Sequence, residues 1–268
     1  MGRFPIMLQS KLCIIGKLNE NTKFNLGECK SDQGGYFIID GKEKIIMSQE
    51  KFSDNMLYIK KNAEDDKYSY SAIIRNVSDD ASKPVRTMKI HIVNKSTTMK
   101  NGNIVVSIPN VRTPIPLFIV MRALGILSDK SILEHILLNI EDNESYLEHF
   151  IPSIHDAGTI YDQHAAIEYI KTYTKRETVN YVLNILSDYM FPNIGDINFK
   201  NKAYFLGDIV FKLMKVSLGE IQPTDRDSFT FKRVELTGTL MYDLFKEYYK
   251  IQHNKIREKI DKEFFFHF

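Results

Sequence analysis

The chain contains no tryptophan, only two cysteines, and no apolar run near the ~20 residues that a membrane-spanning helix needs. Cys13 and Cys29 are too few for a disulfide framework and are not spaced as a CxxC pair. They read as reduced thiols and not as a zinc site. A dominant charge of one sign is missing as well: 36 Lys and Arg stand against 34 Asp and Glu, leaving +2. A dedicated nucleic-acid binder usually carries a strong basic stripe. Contact with nucleic acid would therefore come from a few local residues, or from the chain acting as one wall of a larger channel. Met1 to Ser10 holds one Arg and then Pro5-Ile6-Met7-Leu8, too short and too interrupted for a signal peptide. The chain reads as intracellular, with no membrane partner. Low-complexity segments and internal repeats are absent, and 43% hydrophobic with 26% charged residues is the balance of a globular protein.

What is present changes character along the chain. Tyr36-Phe37-Ile38-Ile39 is a short apolar run, Asp40-Gly41 suits the positive φ angles of a tight hairpin, and Lys44-Ile45-Ile46-Met47 resumes the run. Gly34-Gly35 just before it allows a close backbone approach. Lys60 to Lys67, with Glu64-Asp65-Asp66 at its centre, is expected to be a solvated loop and a domain boundary. Three strands are expected at residues 68–75, 85–93 and 104–108, with turns at Ser78-Asp79-Asp80 and Lys100-Asn101-Gly102-Asn103. In the second strand Val85, Thr87, Lys89, His91 and Val93 alternate with Met88, Ile90 and Ile92, which places the two sets on opposite faces.

From Pro116 the apolar period becomes helical. Leu117, Val120, Met121 and Leu124 lead to a stop at Gly125. A second helix from about Asp129 carries Ile132, Leu133, Ile136, Leu137 and Ile140, with Ser131 and Glu134 at capping-box spacing. Others are expected from Asp162, around Val179 to Leu186 and ending at Phe191-Pro192, and along Leu206 to Met214. A last helix from about Thr239 has Leu240, Leu244, Phe245 and Tyr248 as its expected buried stripe. The succession of strands and then helices argues α+β, not a parallel α/β fold.

Chemistry-bearing patterns are sparse. No GxSxG, HExxH, phosphate-binding loop or GxGxxG occurs. His149 and His155 straddle Pro152 and are not expected to share a helix face as a metal pair would. Asp225-Arg226-Asp227 is a DxD, and its two carboxylates could serve Mg²⁺ in a transferase. With Lys232-Arg233 following, the same residues also read as a charged, ion-paired turn capping the last helix.

Several segments, in order, carry a resemblance. Gly2-Arg3-Phe4-Pro5-Ile6-Met7-Leu8-Gln9-Ser10 is similar to a G-R-x-P-I-M-L-x-S segment of the second-largest subunit of multisubunit DNA-directed RNA polymerases. Gly34 to Lys44, followed by Gln49-Glu50, resembles that family's GGYFIING-x-EK hairpin. Arg122-Ala123-Leu124-Gly125, Ile132-Leu133-Glu134-His135-Ile136 and Ala203-Tyr204-Phe205-Leu206-Gly207 resemble its RALG, ILEHI and AFFLG segments. Asp225-Arg226-Asp227 with Lys232-Arg233 and Gly238 resembles DDRDH-x-x-x-KR-x-x-x-x-G, except that Ser228 and Thr230 stand where the family commonly has His and Gly. The TDRDSF-x-x-KR form is similar to polymerases of large eukaryotic DNA viruses.

The resemblance implies a discontinuous β-rich protrusion domain with an inserted α+β lobe. Residues 1–64 would be the first part of the protrusion, 65–236 the lobe, and 237–268 the protrusion's returning helix. It also implies a role as a wall of the DNA cleft during transcription. This chain would then have no catalytic residue, no metal and no cofactor of its own, the Mg²⁺ of the parent complex being bound by other regions. Arg226, Lys232 and Arg233 would be the contacts to the nucleic-acid backbone, unless Arg226 and Arg233 instead pair with Asp225, Asp227 and Glu235 to hold the lobe on the protrusion. The implied partners are the largest polymerase subunit, the remainder of the second-largest subunit, DNA and transcription factors. The location would be the nucleus for a cellular chain, or the host cytoplasm or virion for a viral one. Two alternatives stay open: a stand-alone truncated paralogue acting as an interaction module, and a Mg²⁺-dependent transferase using Asp225 and Asp227.

Overall fold

The computed structural model describes residues 4–63, 66–80, 83–94 and 102–267. Gly2-Arg3 of the first resembling segment, the acidic pair Glu64-Asp65, the turn residues Lys100-Asn101 and Phe268 lie outside the described residues, as do the side chains of Phe266 and His267. In chain order the elements are helix α1 (Glu20–Asn25), strands β1 (Phe37–Ile39), β2 (Lys42–Lys44), β3 (Gln49–Phe52), β4 (Leu57–Lys61), β5 (Tyr68–Asn76), β6 (Arg86–Val93), β7 (Ile104–Ser107) and β8 (Ile115–Pro116), then helices α2 (Leu117–Ala123), α3 (Asp129–Leu137), α4 (Leu147–Asp156), α5 (Gln163–Thr172), α6 (Val179–Asn184) and α7 (Phe199–Ser217), and finally β9 (Lys232–Glu235) and α8 (Thr237–His267). A π-helical turn at Ile185–Tyr189 extends α6. The fold is α+β.

The chain divides into two compact units, one made of Met1–Phe52 with Lys232–Phe268, the other of Ser53–Phe231. The expected boundaries at residues 64 and 236 lie twelve and five residues beyond these, for a physical reason. β4 pairs antiparallel with β5, Leu57 facing Ile74 through to Lys61 facing Tyr70, so the acidic connection after it joins two strands of one sheet. β9 pairs with β3, Phe52 facing Lys232, so residues 232–235 belong with the smaller unit.

The larger unit is built on an antiparallel sheet in the order β4-β5-β6-β7-β8. Its alternation is the one expected: Ala72, Ile74, Met88, Ile90, Ile104 and Val106 are buried on one face, where α2 and α7 pack. α2 is buried on every side, from Leu117 to Ala123, including Arg122. That arginine donates through Nη1 to the Ile160 carbonyl and pairs through Nη2 with Asp129. It thereby fastens the end of α2 to the first turn of α3 and to the approach to α5. The cap of α3 differs from expectation. Ser128, not Ser131, accepts a bond from the Ser131 backbone N–H, because the chain turns helical at Asp129. That helix also stops at Leu138, which has a φ of 61°, so Ile140 lies beyond its buried stripe. α4 had no counterpart in the sequence reading: His149 and His155 lie on one helix with Pro152 inside it. Six residues at ~100° per residue still leave them on different faces.

In the smaller unit the hairpin closes as expected, with Asp40 at φ 49° and Gly41 at φ 72°. Its second strand ends at Lys44, and Ile45 and Met47 are exposed. The expected buried stripe of the last helix is not buried: Leu244, Phe245 and Tyr248 of α8 are 54%, 51% and 64% exposed. Among the described residues of this unit, Phe37 is the buried hydrophobic.

Two of the resembling segments meet where α3 crosses α7. A Cβ added at Gly207 would overlap the His135 carbonyl oxygen and sit 2.9 Å from its carbon, while His135 stacks on Tyr204 at 4.1 Å between ring centroids. Gly207→Ala should therefore destabilise the protein by about 1–3 kcal/mol through overpacking, even though alanine gains roughly 1 kcal/mol in helix propensity. Urea denaturation of both proteins checks this, and an unchanged or raised midpoint would refute the close-approach account.

Candidate functional site

The residues proposed for backbone contact fall in different units, Arg226 in the larger and Lys232 and Arg233 in the smaller. Around Arg226 the chain forms a turn in which Asp225 Oδ1 accepts the Asp227 backbone N–H at 2.9 Å. The first carboxylate of the DxD is thus used to shape its own loop. The Arg226 guanidinium lies over the ring of Tyr58, 5.7 Å from the centroid, and Tyr58 also packs against Phe231. Thr224 binds both main-chain groups of Ile59: its hydroxyl accepts from the Ile59 N–H at 3.1 Å, and its N–H donates to the Ile59 carbonyl at 2.8 Å. The loop that carries Arg226 is therefore pinned along the edge strand β4. Among the described residues no three His, Cys, Asp or Glu side chains gather as a metal set.

In the smaller unit Lys232 is largely covered. Its ammonium lies 2.9 Å from Glu50 Oε1 and 3.9 Å from the centroid of the Phe52 ring, with the side chain 13% exposed. Lys51 pairs with Glu235 at 3.0 Å. The β3–β9 ladder is thus flanked by two ion pairs of opposite sense. Arg233 is exposed, and its Nη1 donates to the Lys232 carbonyl at 2.7 Å. Glu235, a carboxylate the sequence offered to Arg226 or Arg233, is taken by Lys51, and Lys232 takes Glu50.

The resembling segments of this unit are joined through the backbone. Leu8 N–H donates to the Tyr36 carbonyl at 2.9 Å, and Gly35 N–H to the Leu8 carbonyl at 3.1 Å. A Cβ at Gly34, which has a φ of +69°, would lie 2.6 Å from the Leu8 carbonyl oxygen, so only glycine fits there. Asp32 accepts from the Gly34 N–H and from the Tyr36 hydroxyl; these bonds hold its carboxyl below the usual range and push Tyr36 up to about 12.

Two buried polar residues of the larger unit were not singled out from the sequence. Lys202, fully buried on α7, donates to the carbonyls of Leu186, Ser187 and Asp196 at 2.9, 2.6 and 3.2 Å. It fills the acceptors left at the end of the π-helical turn, and burial pushes its pKa down to about 8. Its signal was a charge four residues before Leu206 on an apolar stripe. His91, on the solvent side of β6, is covered by Tyr68, whose ring stacks at 4.2 Å. Its Nδ1 is 2.7 Å from Ser71 Oγ, which in turn accepts from Asn62 at 2.7 Å. Burial pushes His91 down to about 4, and Lys89, Lys60 and Lys67 push in the same direction.

Comparison with known proteins follows this geometry. The family described as RNA polymerase beta subunit matches residues 1–265. DNA-directed RNA polymerase II subunit RPB2 of Encephalitozoon cuniculi is 37% identical over 257 residues, 93% of this chain and 22% of that protein. DNA-directed RNA polymerase II subunit 2 of Arabidopsis thaliana is 35% identical, over 98% of this chain and 23% of its own length. DNA-directed RNA polymerase subunit Rpo2 of Saccharolobus solfataricus is 30% identical, again over 98% of this chain and 23% of its own length. The chain thus spans less than a quarter of these curated relatives.

The environment of His91 fixes a pH dependence. Its folded pKa of about 4 lies below the ordinary 6.5, so between these values the unfolded chain takes up a proton that the native state refuses. The stability tied to His91 is full above about pH 6.5 and is lost as pH falls towards 4, by at most about 3 kcal/mol. Urea midpoints at pH 7 and pH 4.5 should fall less for His91→Gln than for the wild type; equal falls would refute the assignment.

Proposed function

The chain belongs to the RNA polymerase beta subunit family, and on that premise we propose that it forms part of a wall of the DNA cleft in a multisubunit DNA-directed RNA polymerase. Its contribution is shape and charge, with no catalytic residue in this stretch. The observation that carries the reading is the family match along residues 1–265 combined with the split organisation, in which the larger unit is inserted between β3 and β9. The smaller unit corresponds on this reading to the protrusion and the larger one to the lobe. The partners are the largest subunit, the remainder of the second-largest subunit, DNA and transcription factors.

Phosphoryl transfer in such an enzyme uses Mg²⁺ to stabilise the attacking and leaving oxygens. The engagement of Asp225 Oδ1 by the Asp227 amide supports the reading of the DxD as a shaped turn over that of an ion site. The metal would be held by other regions, and Mg²⁺ titration of this chain by calorimetry should give no heat; saturable heat would favour the transferase reading instead. The interaction-module alternative is favoured by the exposed apolar residues of α8. The gene layout separates it from the cleft-wall reading: the rest of the subunit encoded directly downstream supports the cleft wall.

A viral source is the finer reading. It rests on the TDRDSF-x-x-KR form, whereas the relatives named above are cellular. A locus among virion structural genes supports it, with a host-cytoplasmic or virion location; a chromosomal locus removes it in favour of the nucleus. The structure itself has no helix long and apolar enough to cross a membrane among the described residues.

Arg226, Lys232 and Arg233 supply the phosphate contacts on this reading. Duplex DNA affinity of the full chain, measured over a salt series, should show a slope shallower by about one for each contact removed by Ala. Glu50→Gln serves as the control for Lys232→Ala, since it breaks the same ion pair while leaving the cation. Unchanged slopes in all three alanine variants reject the contact assignment. A pull-down from the native source should bring down the largest polymerase subunit, and its absence would reject the assembly.

A further inference from the structure

The outer face of the larger unit's sheet carries a shallow hollow of about 460 Å³ that none of the residues discussed for the DNA cleft occupies. Its polar lining is Tyr68, Arg86, Thr87, Lys89, His91 and Ser107, and no carboxylate borders it. Each of these side chains can donate a hydrogen bond. Register explains why Thr87, Lys89, His91 and Ser107 share this face, with Arg86 out of phase with them. Thr87, Lys89 and His91 are alternate residues of β6 and share the face opposite the buried Met88, Ile90 and Ile92. Ser107 stands directly across from Lys89 on β7, a separation of about 5 Å between Cβ atoms. Same-face neighbours along one strand lie roughly 7 Å apart. Lys89, with Thr87 and Ser107 beside it, can meet one tetrahedral oxyanion, whereas His91, about 13 Å along the strand from Thr87, borders the site without sharing that ion with Thr87. The Tyr68 ring, stacked on His91, closes one side.

We propose that this hollow on the solvent face of β6 and β7 is a phosphate-binding site, with Lys89 as the charge that holds the group and Thr87 and Ser107 as neutral donors. Phosphate fits better than a peptide carboxylate. It brings more acceptor oxygens and more charge, and the field here is cationic: Lys60, Lys67 and Lys89 all act on His91 in the same direction. The phosphate could belong to a nucleic-acid backbone or be a free inorganic group. The inference does not depend on the cleft reading, and none of its residues is Arg226, Lys232 or Arg233.

The test uses the full chain and two probes, a labelled 20-base-pair duplex followed by fluorescence anisotropy and inorganic phosphate followed by NMR of the His91 ring. Lys89→Gln and Thr87→Val are compared with Lys212→Gln, a control on α7, which packs against the opposite face of the sheet. Lys89→Gln should weaken the responding probe roughly three- to tenfold, Thr87→Val less, and the control not at all. A response confined to the duplex identifies a nucleic-acid backbone; a shift of the His91 signals by inorganic phosphate, lost in Lys89→Gln, identifies a free phosphate site. Equal binding by Lys89→Gln and Lys212→Gln for both probes, no binding of either probe at low salt, or polyglutamate competing as well as DNA overturns the proposal. Failure of the cleft reading would show instead as flat salt slopes in the Arg226, Lys232 and Arg233 series.

Discussion

The larger unit depends on burying one face of a five-stranded antiparallel sheet, and the strand period of two makes that burial decisive. Ala72, Ile74, Met88, Ile90, Ile104 and Val106 all lie on one side with essentially no exposure. Each fully buried aliphatic side chain contributes about 1.5–3 kcal/mol. A slip of one residue in any pairing would turn a strand's apolar set to solvent and bring Lys89 or Thr87 inward. The register that builds the core therefore also fixes which polar groups stand together outside. α2, apolar on every side, and α7, apolar along Leu206, Ile209, Val210 and Leu213, cover the sheet. The close crossing of α3 over α7 at Gly207 then locks the helical layer.

Buried polar groups sit at the joints of this core and specify it. Arg122 and Lys202 are among the largest fully buried side chains, and each ends on backbone carbonyls that its own helix cannot reach. Arg122 ties α2 to α3 and the approach to α5; Lys202 ties α7 to the end of the π-helical turn and to Asp196, whose carboxylate pairs with Lys83. Such cations are expensive to desolvate, and removing one would leave several acceptors unsatisfied. Their role is to fix where irregular segments run, which apolar contacts do poorly because they lack direction.

Much of this was legible in the sequence where a single period ran long enough. β5, β6 and β7, both faces of β6, the hairpin at Asp40-Gly41, and α3, α5 and α7 followed from patterning alone. The misses have physical causes. β4 and β9 are short and end or begin in adjacent charges, Lys60-Lys61 and Lys232-Arg233, that break the strand alternation; β9 is made a strand by pairing with the distant β3, and β4 by β5 and Thr224. α4 contains Pro152, which argues against a helix locally, yet the buried Phe150 and Ser153 hold it. The cap at Ser128 was displaced by one turn because two serines offered the same chemistry. Of the candidate contacts, the sequence showed that Lys232 and Arg233 are adjacent cations near acidic residues. It could not say that Lys232 takes Glu50 as its partner, since that choice is made by strand pairing across most of the chain's length.

The smaller unit inverts the balance. With Phe37 as its buried hydrophobic among the described residues, its order comes from backbone bonds between Leu8 and Gly35-Tyr36, from the Asp32 bonds to Gly34 and Tyr36, and from the ion-paired ladder of β3 and β9. Polar interactions of this kind contribute little net free energy each in water, because solvent competes for every group. A 31-residue helix with Leu244, Phe245, Tyr248, Ile256 and Ile260 all at least half exposed is not explained by those bonds. Scattered exposed apolar residues need no explanation, but a helix that leaves an apolar stripe uncovered does. The first half of α8 does carry an apolar stripe, Leu240, Leu244, Phe245 and Tyr248, opposite Asp243, Lys246, Glu247 and Lys250, but within this unit little covers it. The asymmetry between the units thus lies in coverage. The larger unit closes its own core with its apolar faces, whereas the stripe of α8 meets little besides Phe4, which packs edge-on against Phe245.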